Sequence, residues 1–132
     1  MCSRVHNMNA YEKQAALVKV MGHPARLLIL EILSQEEACV CHLAAILGQR
    51  QPYVSQHLMA LRRAGLVLDR KDGALVYYRL AHERIAQVIG QSRALLQGMD
   101  PSATFTPLPR PPIAGCTCPV CTGEVSCAWH AA

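Results

Sequence analysis

The order of apolar and polar positions along the chain predicts five helices. Four are expected over residues 9–21, 24–33, 40–47 and 52–65, where apolar residues recur at helical spacing and glycine or proline marks most boundaries. The second is apolar nearly all round, which is typical of a buried helix. A fifth helix is expected over residues 82–97, with its apolar residues on one side.

A β-hairpin is predicted between the last two helices. Residues 66–70 and 75–80 have strand character, and Asp72-Gly73 between them is a turn signal. The third and fourth helices, joined by a short turn, form a helix-turn-helix pattern that the hairpin makes winged. The expected fold is mainly α with a small β-hairpin, a winged helix-turn-helix whose fourth helix is the recognition helix. The first and fifth helices are assigned to a homodimer interface, since their apolar sides lack a partner in a small monomer.

The chain is expected to divide into a domain, a linker and a tail. Residues 1–98 form the DNA-binding and dimerisation domain. Residues 99–114 form an extended linker, because five of the twelve residues from Pro101 to Pro112 are proline. Residues 115–132 form a cysteine-rich tail.

Composition indicates where the protein works. Hydrophobic residues make up 52% of the chain and aromatic residues only 5%, so the core must be mainly aliphatic. No apolar run approaches the roughly 18–20 residues that span a bilayer, and the N-terminus lacks the apolar stretch of a signal peptide. We therefore expect a cytoplasmic protein with no membrane partner and with reduced thiols.

The positive charge of the chain is concentrated in one segment. Residues 50–84 contain seven Arg or Lys residues against three acidic ones, so this segment accounts for the whole net charge of +4. Such a concentration is expected of a surface that faces phosphate, although an ordinary solvated surface is the alternative reading.

A recognition helix reads base edges with the residues of its first turns. Gln51, Tyr53, Ser55 and Gln56 occupy those positions. Basic residues further along position the protein on phosphates without specifying sequence. The predicted DNA-contacting set is Gln51, Tyr53, Ser55, Gln56, His57, Arg62 and Arg63 on the helix, with Arg70 and Lys71 on the wing; for His57, packing or a phosphate contact is expected.

The segment from Cys39 to Leu80 resembles the ArsR/SmtB family of metal- and metalloid-responsive repressors. The motifs that carry the resemblance are CVC, QPYVSQHL, LRRAGLV and DRKDGALVYYRL, in the family's order. The arsenic- and cadmium/lead-sensing members are the most similar, and weaker similarity covers residues 9–97. The resemblance implies a homodimer that binds a palindromic double-stranded operator and releases it when metal binds.

Cys39 and Cys41 are the first candidate metal ligands. Side chains at i and i+2 of a regular helix do not face each other, so both can grip one ion only if Cys39 lies before the helix or in a frayed first turn. Soft thiolates select soft ions. Arsenic(III) and antimony(III) take three thiolates, and Cd(II), Pb(II) or Zn(II) three or four, so further ligands are required. The alternative is that both are small buried hydrophobes.

The chain departs from the ligand sets that the resemblance implies. Ala44 stands where arsenic sensors carry a third cysteine, and only Cys2 could supply the cysteine that cadmium/lead sensors take from the partner's N-terminal arm. The family's other metal site lies across the fifth helix. We predict no zinc site there, because its positions hold His82, Arg84, Leu95 and Gly98.

The tail carries Cys116, Cys118, Cys121 and Cys127. These thiols could close on one ion as a second site, or reach back to complete the site of Cys39 and Cys41; incidental thiols in a disordered tail are the third reading. The CPVC motif matches dithiol oxidoreductases, but no βαβ unit surrounds it, so we predict no enzyme. His42, beside Cys41, could be a ligand, but a position at the surface is the expectation.

These observations predict a transcriptional repressor released from its operator by a soft metal or metalloid. The predicted inducer is As(III) first, with Sb(III), Cd(II), Pb(II) and Zn(II) as alternatives, and the predicted metal ligands are Cys2, Cys39, Cys41, Cys116, Cys118 and Cys121. One alternative keeps the DNA-binding domain but has the cysteines sense oxidants or persulfide. Another is a metal-buffering or thiol-exchange protein that does not bind DNA.

Overall fold

The computed structural model describes residues 8–123. The helices and strands follow the predicted order, with one strand and one short helix added. They are α1 (Met8–Met21), α2 (Pro24–Gln35), β1 (Ala38–Cys39), α3 (Val40–Leu47), α4 (Gln51–Arg63), β2 (Val67–Asp72), β3 (Leu75–Leu80), α5 (Glu83–Met99) and α6 (Pro119–Thr122).

The sheet has three antiparallel strands in the order β1-β3-β2. The prediction of a two-stranded hairpin was therefore incomplete. β1 is only two residues long, too short to show a period, and it pairs Cys39 with Tyr77 of β3. This pairing fixes the backbone immediately before α3.

The main core is built around α2 and α4. Ile29 and Leu30 of α2 are fully buried with Val54, Leu58 and Leu61, the predicted inner face of α4. Truncating one of these leucines to alanine typically costs about 2–5 kcal/mol. α2 is not buried all round, however, because the side chain of Leu27 is 39% exposed.

The outer faces of α1 and α5 carry exposed apolar side chains. Leu17 and Val18 lie on α1, and Val88 and Leu95 on α5. Their exposure in a single chain agrees with the expectation that these helices meet a second copy, which stays a prediction. Within residues 8–123, no helix combines the length and apolar character needed to cross a membrane.

The segment after α5 has no helix or strand until α6 and returns to the domain. Leu108 packs against the main core, and Ile113 is buried in a second cluster with Cys39 and Tyr77. The described part of the tail therefore lies over the N-terminus of α3.

Candidate metal centre and nucleic-acid interface

Cys39 lies before α3 and Cys41 lies inside its first turn. Pairing with β3 holds Cys39 in an extended conformation, with φ −83° and ψ 165°. The change from extended to helical backbone lets the two side chains share a face, and their Sγ atoms are 2.9 Å apart. The geometry that two-cysteine binding requires is thus built into the start of α3.

A compact turn brings the tail cysteines to the same place. Gly115 has φ +85°, a conformation that favours glycine, and the Cys116 backbone N–H donates to the Ile113 carbonyl at 3.1 Å. Cys118 then precedes α6, and its carbonyl accepts from the backbone N–H of Cys121 at 3.0 Å. This turn places the Sγ of Cys116 3.5 Å from that of Cys41.

Four cysteines form what we name the thiol quartet: Cys39, Cys41, Cys116 and Cys118. Their Sγ atoms all lie within 4.8 Å of one another. Tetrahedral zinc with bonds of about 2.3 Å to sulfur sets its thiolates about 3.8 Å apart, so small adjustments would close the quartet on an ion. All four are free cysteines.

The protonation of the quartet is uneven. Burial is the largest cause that raises the pKa of Cys39 and of Cys116 far above the usual range of thiols. Burial also raises the pKa of Cys118, but hydrogen bonds from the Cys121 backbone and from neighbouring thiols outweigh it, so the net shift is downward. Of these three thiols Cys118 therefore loses its proton most readily, and metal binding must displace protons from Cys39 and Cys116.

His42 belongs to a second group of potential ligands. Its Nδ1 lies 3.3 Å from the Sγ of Cys121, and its Nε2 lies 3.7 Å from a carboxylate oxygen of Glu36. The ligand atoms of His42, Cys116, Cys118 and Cys121 all lie within 4.8 Å of one another. The two groups share Cys116 and Cys118.

The expectation that His42 lies at the surface was wrong. Its side chain is buried because the tail covers the start of α3, an arrangement that no local pattern encodes. Burial is the main cause that lowers its pKa, with the Glu36 carboxylate acting in the opposite direction. The neutral imidazole that metals require is thereby favoured.

The predicted ligand Cys2 and the tail residue Cys127 lie outside the described residues.

The exposed face of α4 carries most of the predicted DNA-contacting residues. Gln51, Tyr53 and Gln56 are exposed and Ser55 is half-buried. Arg62 and Arg63 are exposed at the C-terminal end, where Arg62 pairs with Asp69 at 3.3 Å. The polar groups a major-groove helix needs are therefore on one accessible surface.

His57 does not share that face. It is buried, and its Nδ1 accepts a hydrogen bond from Nε of Arg26 at 3.1 Å. Its ring also packs against those of His23 and Tyr53. His57 follows Val54 by three positions and thus falls on the inner side of the helix, a signal present in the sequence. We accordingly assign it to packing between α2 and α4, the first of the two readings given above.

Arg70 of the wing lies close to the thiol quartet. Its guanidinium forms an ion pair with Glu37, a weaker one with Asp72 at 3.7 Å, and lies over the ring of Tyr77. Glu37 immediately precedes β1, and Tyr77 pairs with Cys39. Lys71, beside Arg70, is exposed. Arg70, which is suited to phosphate contact, thus lies over Tyr77, and Tyr77 in turn pairs with Cys39 of the quartet.

Comparisons with known proteins agree with this architecture. The sequence model of "Bacterial regulatory protein, arsR family" matches residues 23–68. An HTH-type transcriptional regulator of Methanocaldococcus jannaschii is 39% identical over 83 residues, covering 62% of this chain and 93% of the relative. The arsenical resistance operon repressor of Escherichia coli is 48% identical over 66 residues, covering 49% of this chain and 56% of that repressor.

A solved structure supports the same assignment. The homodimeric winged helix-turn-helix DNA-binding domain of a possible ArsR-family regulator from Mycobacterium bovis superposes with a TM-score of 0.66 at 27% identity, covering 80% of this chain and all of that one. Taken with the matched residues and the winged fold, these similarities show that the chain belongs to the ArsR family of bacterial regulatory proteins and is a DNA-binding transcriptional regulator.

Proposed function

We propose that this regulator is a homodimeric repressor whose affinity for its operator falls when the thiol quartet binds a soft metal or metalloid. The observation that carries the proposal is the mutual approach of the four Sγ atoms, within 4.8 Å, at the start of the helix-turn-helix. The tail thus supplies the ligands that Cys39 and Cys41 lack on their own.

The donor chemistry supports a soft ion. Three thiolates of the quartet provide the pyramidal set that As(III) or Sb(III) takes, and all four provide a tetrahedral set for Cd(II) or Zn(II). Pb(II) also suits a set of three thiolates. Similarity to an arsenical resistance repressor supports As(III) as the first inducer to test.

The mechanism follows from the positions of Cys39 and Cys41 at the start of α3 and beside β3. An ion drawing these two residues towards the tail would shift the first turn of α3, and α3 continues into α4 through a turn whose Gly48 has φ +64°. The same pull on Cys39 would act on its strand partner Tyr77, over which Arg70 lies. Both the recognition helix and the wing would leave their DNA-bound positions.

The test is a fluorescence anisotropy titration with a duplex selected by the apo protein from a random pool. Arsenite and Cd(II) should release wild type. Cys39→Ser/Cys41→Ser and Cys116→Ser/Cys118→Ser should bind the duplex but ignore both inducers, whereas the matched control Cys2→Ser/Cys127→Ser should respond. Release of both quartet variants at wild-type concentrations of inducer would refute the proposed site.

A second candidate function is oxidant or persulfide sensing. The contacts of Cys41 with Cys39 and with Cys116, at 2.9 and 3.5 Å, favour it. Two thiols would form a disulfide, giving two electrons and two protons to hydrogen peroxide, which becomes two waters. Release of DNA by peroxide in the presence of a chelator, reversed by dithiothreitol, would support this function; release only by metal would exclude it.

A further inference from the structure

The tail, α3 and the residue before α3 together present six donor atoms rather than four. Five are thiol sulfurs and the sixth is Nδ1 of His42. They form two overlapping groups of four, and the overlap consists of Cys116 and Cys118. Cys39 and Cys41 belong only to the first group, and His42 and Cys121 only to the second.

Six donors in this arrangement match the needs of two tetrahedral ions. Each ion has two ligands of its own, and two bridging thiolates complete both coordination shells. From this geometry we infer a binuclear site for divalent zinc or cadmium, in which Cys116 and Cys118 bridge one ion held by Cys39 and Cys41 to a second held by His42 and Cys121. The inference rests on the quartet of the proposed function and adds a second ion to it.

Charge supports two ions over one. Five thiolates and a neutral imidazole around two divalent cations have a net charge of −1. With one divalent cation the net charge would be −3, unless some of the thiols stayed protonated. Cys39, Cys116 and Cys118 are buried, and Ile113 and Tyr77 pack beside them. Excess negative charge in such surroundings is costly, so the second cation stabilises the deprotonated cluster.

The surroundings of His42 suit a ligand. Nε2 is buried, lacks a hydrogen-bond partner among the described residues, and faces the Glu36 carboxylate at 3.7 Å. A proton on Nε2 directed at this carboxylate leaves the lone pair of Nδ1 pointing towards Cys121. Carboxylates commonly orient metal-binding histidines in this way. Glu36 is therefore a positioning residue for the second ion.

The two classes of inducer should use the cluster differently. As(III) needs three thiolates and finds them in the quartet, without His42 or Cys121. Zn(II) and Cd(II) prefer four ligands each and therefore use all six donors. Removing His42 and Cys121 should separate the two responses.

The experiment measures stoichiometry in the full chain with Cys2→Ser/Cys127→Ser, so that only the thiols of this cluster are counted. Native mass spectrometry should find two Cd(II) per protomer, and ¹¹³Cd NMR two resonances, with the four-sulfur ion downfield of the ion that binds His42. Adding His42→Gln/Cys121→Ser should leave one Cd(II) and one resonance. One Cd(II) in the parent variant, or two after the added substitutions, would overturn the inference.

A substitution outside the six donors tests the inference even if the His42→Gln/Cys121→Ser variant fails to fold. Glu36→Gln keeps all six donors, so we expect two Cd(II) with the second bound about 10–100-fold more weakly. Unchanged affinity for the second ion would contradict the positioning role of Glu36. Failure of the proposed function is separate: it would appear as unchanged DNA affinity at full metal loading, whatever the number of ions.

Discussion

Cys39 combines a role in the fold with its proposed role as a metal ligand. Its backbone pairs with Tyr77 in the sheet, its extended conformation begins α3, and its side chain is 1% exposed against the tail. Cys41 is half-buried and lies inside α3, so it has no strand partner among the described residues and its side chain is less enclosed than that of Cys39. Substitution of the two cysteines should therefore change the stability of the apo protein to different degrees, although both are proposed ligands.

Cys39→Ser should destabilise the apo protein by about 1–3 kcal/mol, because it buries a hydroxyl among sulfur and apolar groups. Cys41→Ser should cost less, because its side chain reaches solvent. Chemical denaturation under reducing conditions, with EDTA present, measures both free energies of unfolding. Equal costs would show that Cys39 lacks the structural role assigned to it.

The stability of the apo protein should fall as pH is lowered from 7.5 towards 5.5. Burial lowers the pKa of His42 and of His57 below 6.5, so below that pH the unfolded chain binds more protons than the folded one. The stability that both imidazoles contribute is present above pH 6.5 and is lost below it. His42→Gln should flatten the dependence measured by urea denaturation; an unchanged slope would contradict burial of a neutral His42.

At the scale of elements, the proposed DNA-contacting residues of α4 and the residues that pack it against α2 lie on different faces of the helix. Gln56 lies in its first half on the exposed face, where a side chain can reach base edges, and Arg63 lies at its end, where it can reach phosphate. His57, between them, holds the helix to α2 through Arg26. Substitutions at Gln56 and Arg63 should therefore affect DNA binding in different ways.

Gln56→Ala should lower affinity for the selected duplex by about 1–3 kcal/mol and relax its sequence preference. Arg63→Ala should weaken binding to every duplex and reduce the slope of log affinity against log salt by about 1. Anisotropy titrations at several salt concentrations separate the two effects. A wild-type affinity that does not fall as salt is raised would contradict the phosphate contact proposed for Arg63.

Helices α1 to α5 were predictable because each is long enough to show a period, and glycine or proline marks most boundaries of the first four. The four-residue helix α6 was not predicted. α3 was expected over residues 40–47 and is observed at Val40–Leu47. β1 has no such period, and its partner lies almost forty residues away. Local pattern also indicated the inner face of α4, on which His57 lies.

The candidate site was only partly predictable from the sequence. The spacing of Cys39 and Cys41 indicated that both can bind one ion only if Cys39 lies before the helix or in a frayed first turn, and in the structure it lies before the helix. Return of the tail was one of three readings, because a proline linker fixes reach but not direction. The contact of His42 with Cys121 joins residues 79 positions apart, and nothing in the sequence near either one indicates it.

At the scale of the whole molecule, dimerisation would account for the exposed apolar faces of α1 and α5. Val88 is 50% exposed and lies on α5. Two copies of a recognition helix, set one helical turn apart on DNA, would also explain why such a small domain could bind a palindrome tightly.

Val88→Asp should produce a monomer that is folded but binds the selected duplex at least tenfold more weakly. A charge at this position faces solvent in the single chain and would be buried between two copies, where it is costly. Sedimentation velocity gives the oligomeric state, with Leu68→Asp on β2 as a control of similar exposure. A Val88→Asp dimer, or a wild-type monomer, would contradict the assignment.

The most direct test of the account is the affinity of the ion for the protein with and without DNA. Coupling is reciprocal, so an ion that releases the operator must itself bind more weakly to the operator-bound dimer, typically by 5–150-fold, or about 1–3 kcal/mol. Isothermal titration of arsenite, and separately of Cd(II), into free and DNA-bound protein measures this ratio. We predict a ratio in that range that falls to one in Cys39→Ser/Cys41→Ser. Equal affinity of wild type for the ion in both states would contradict the central claim.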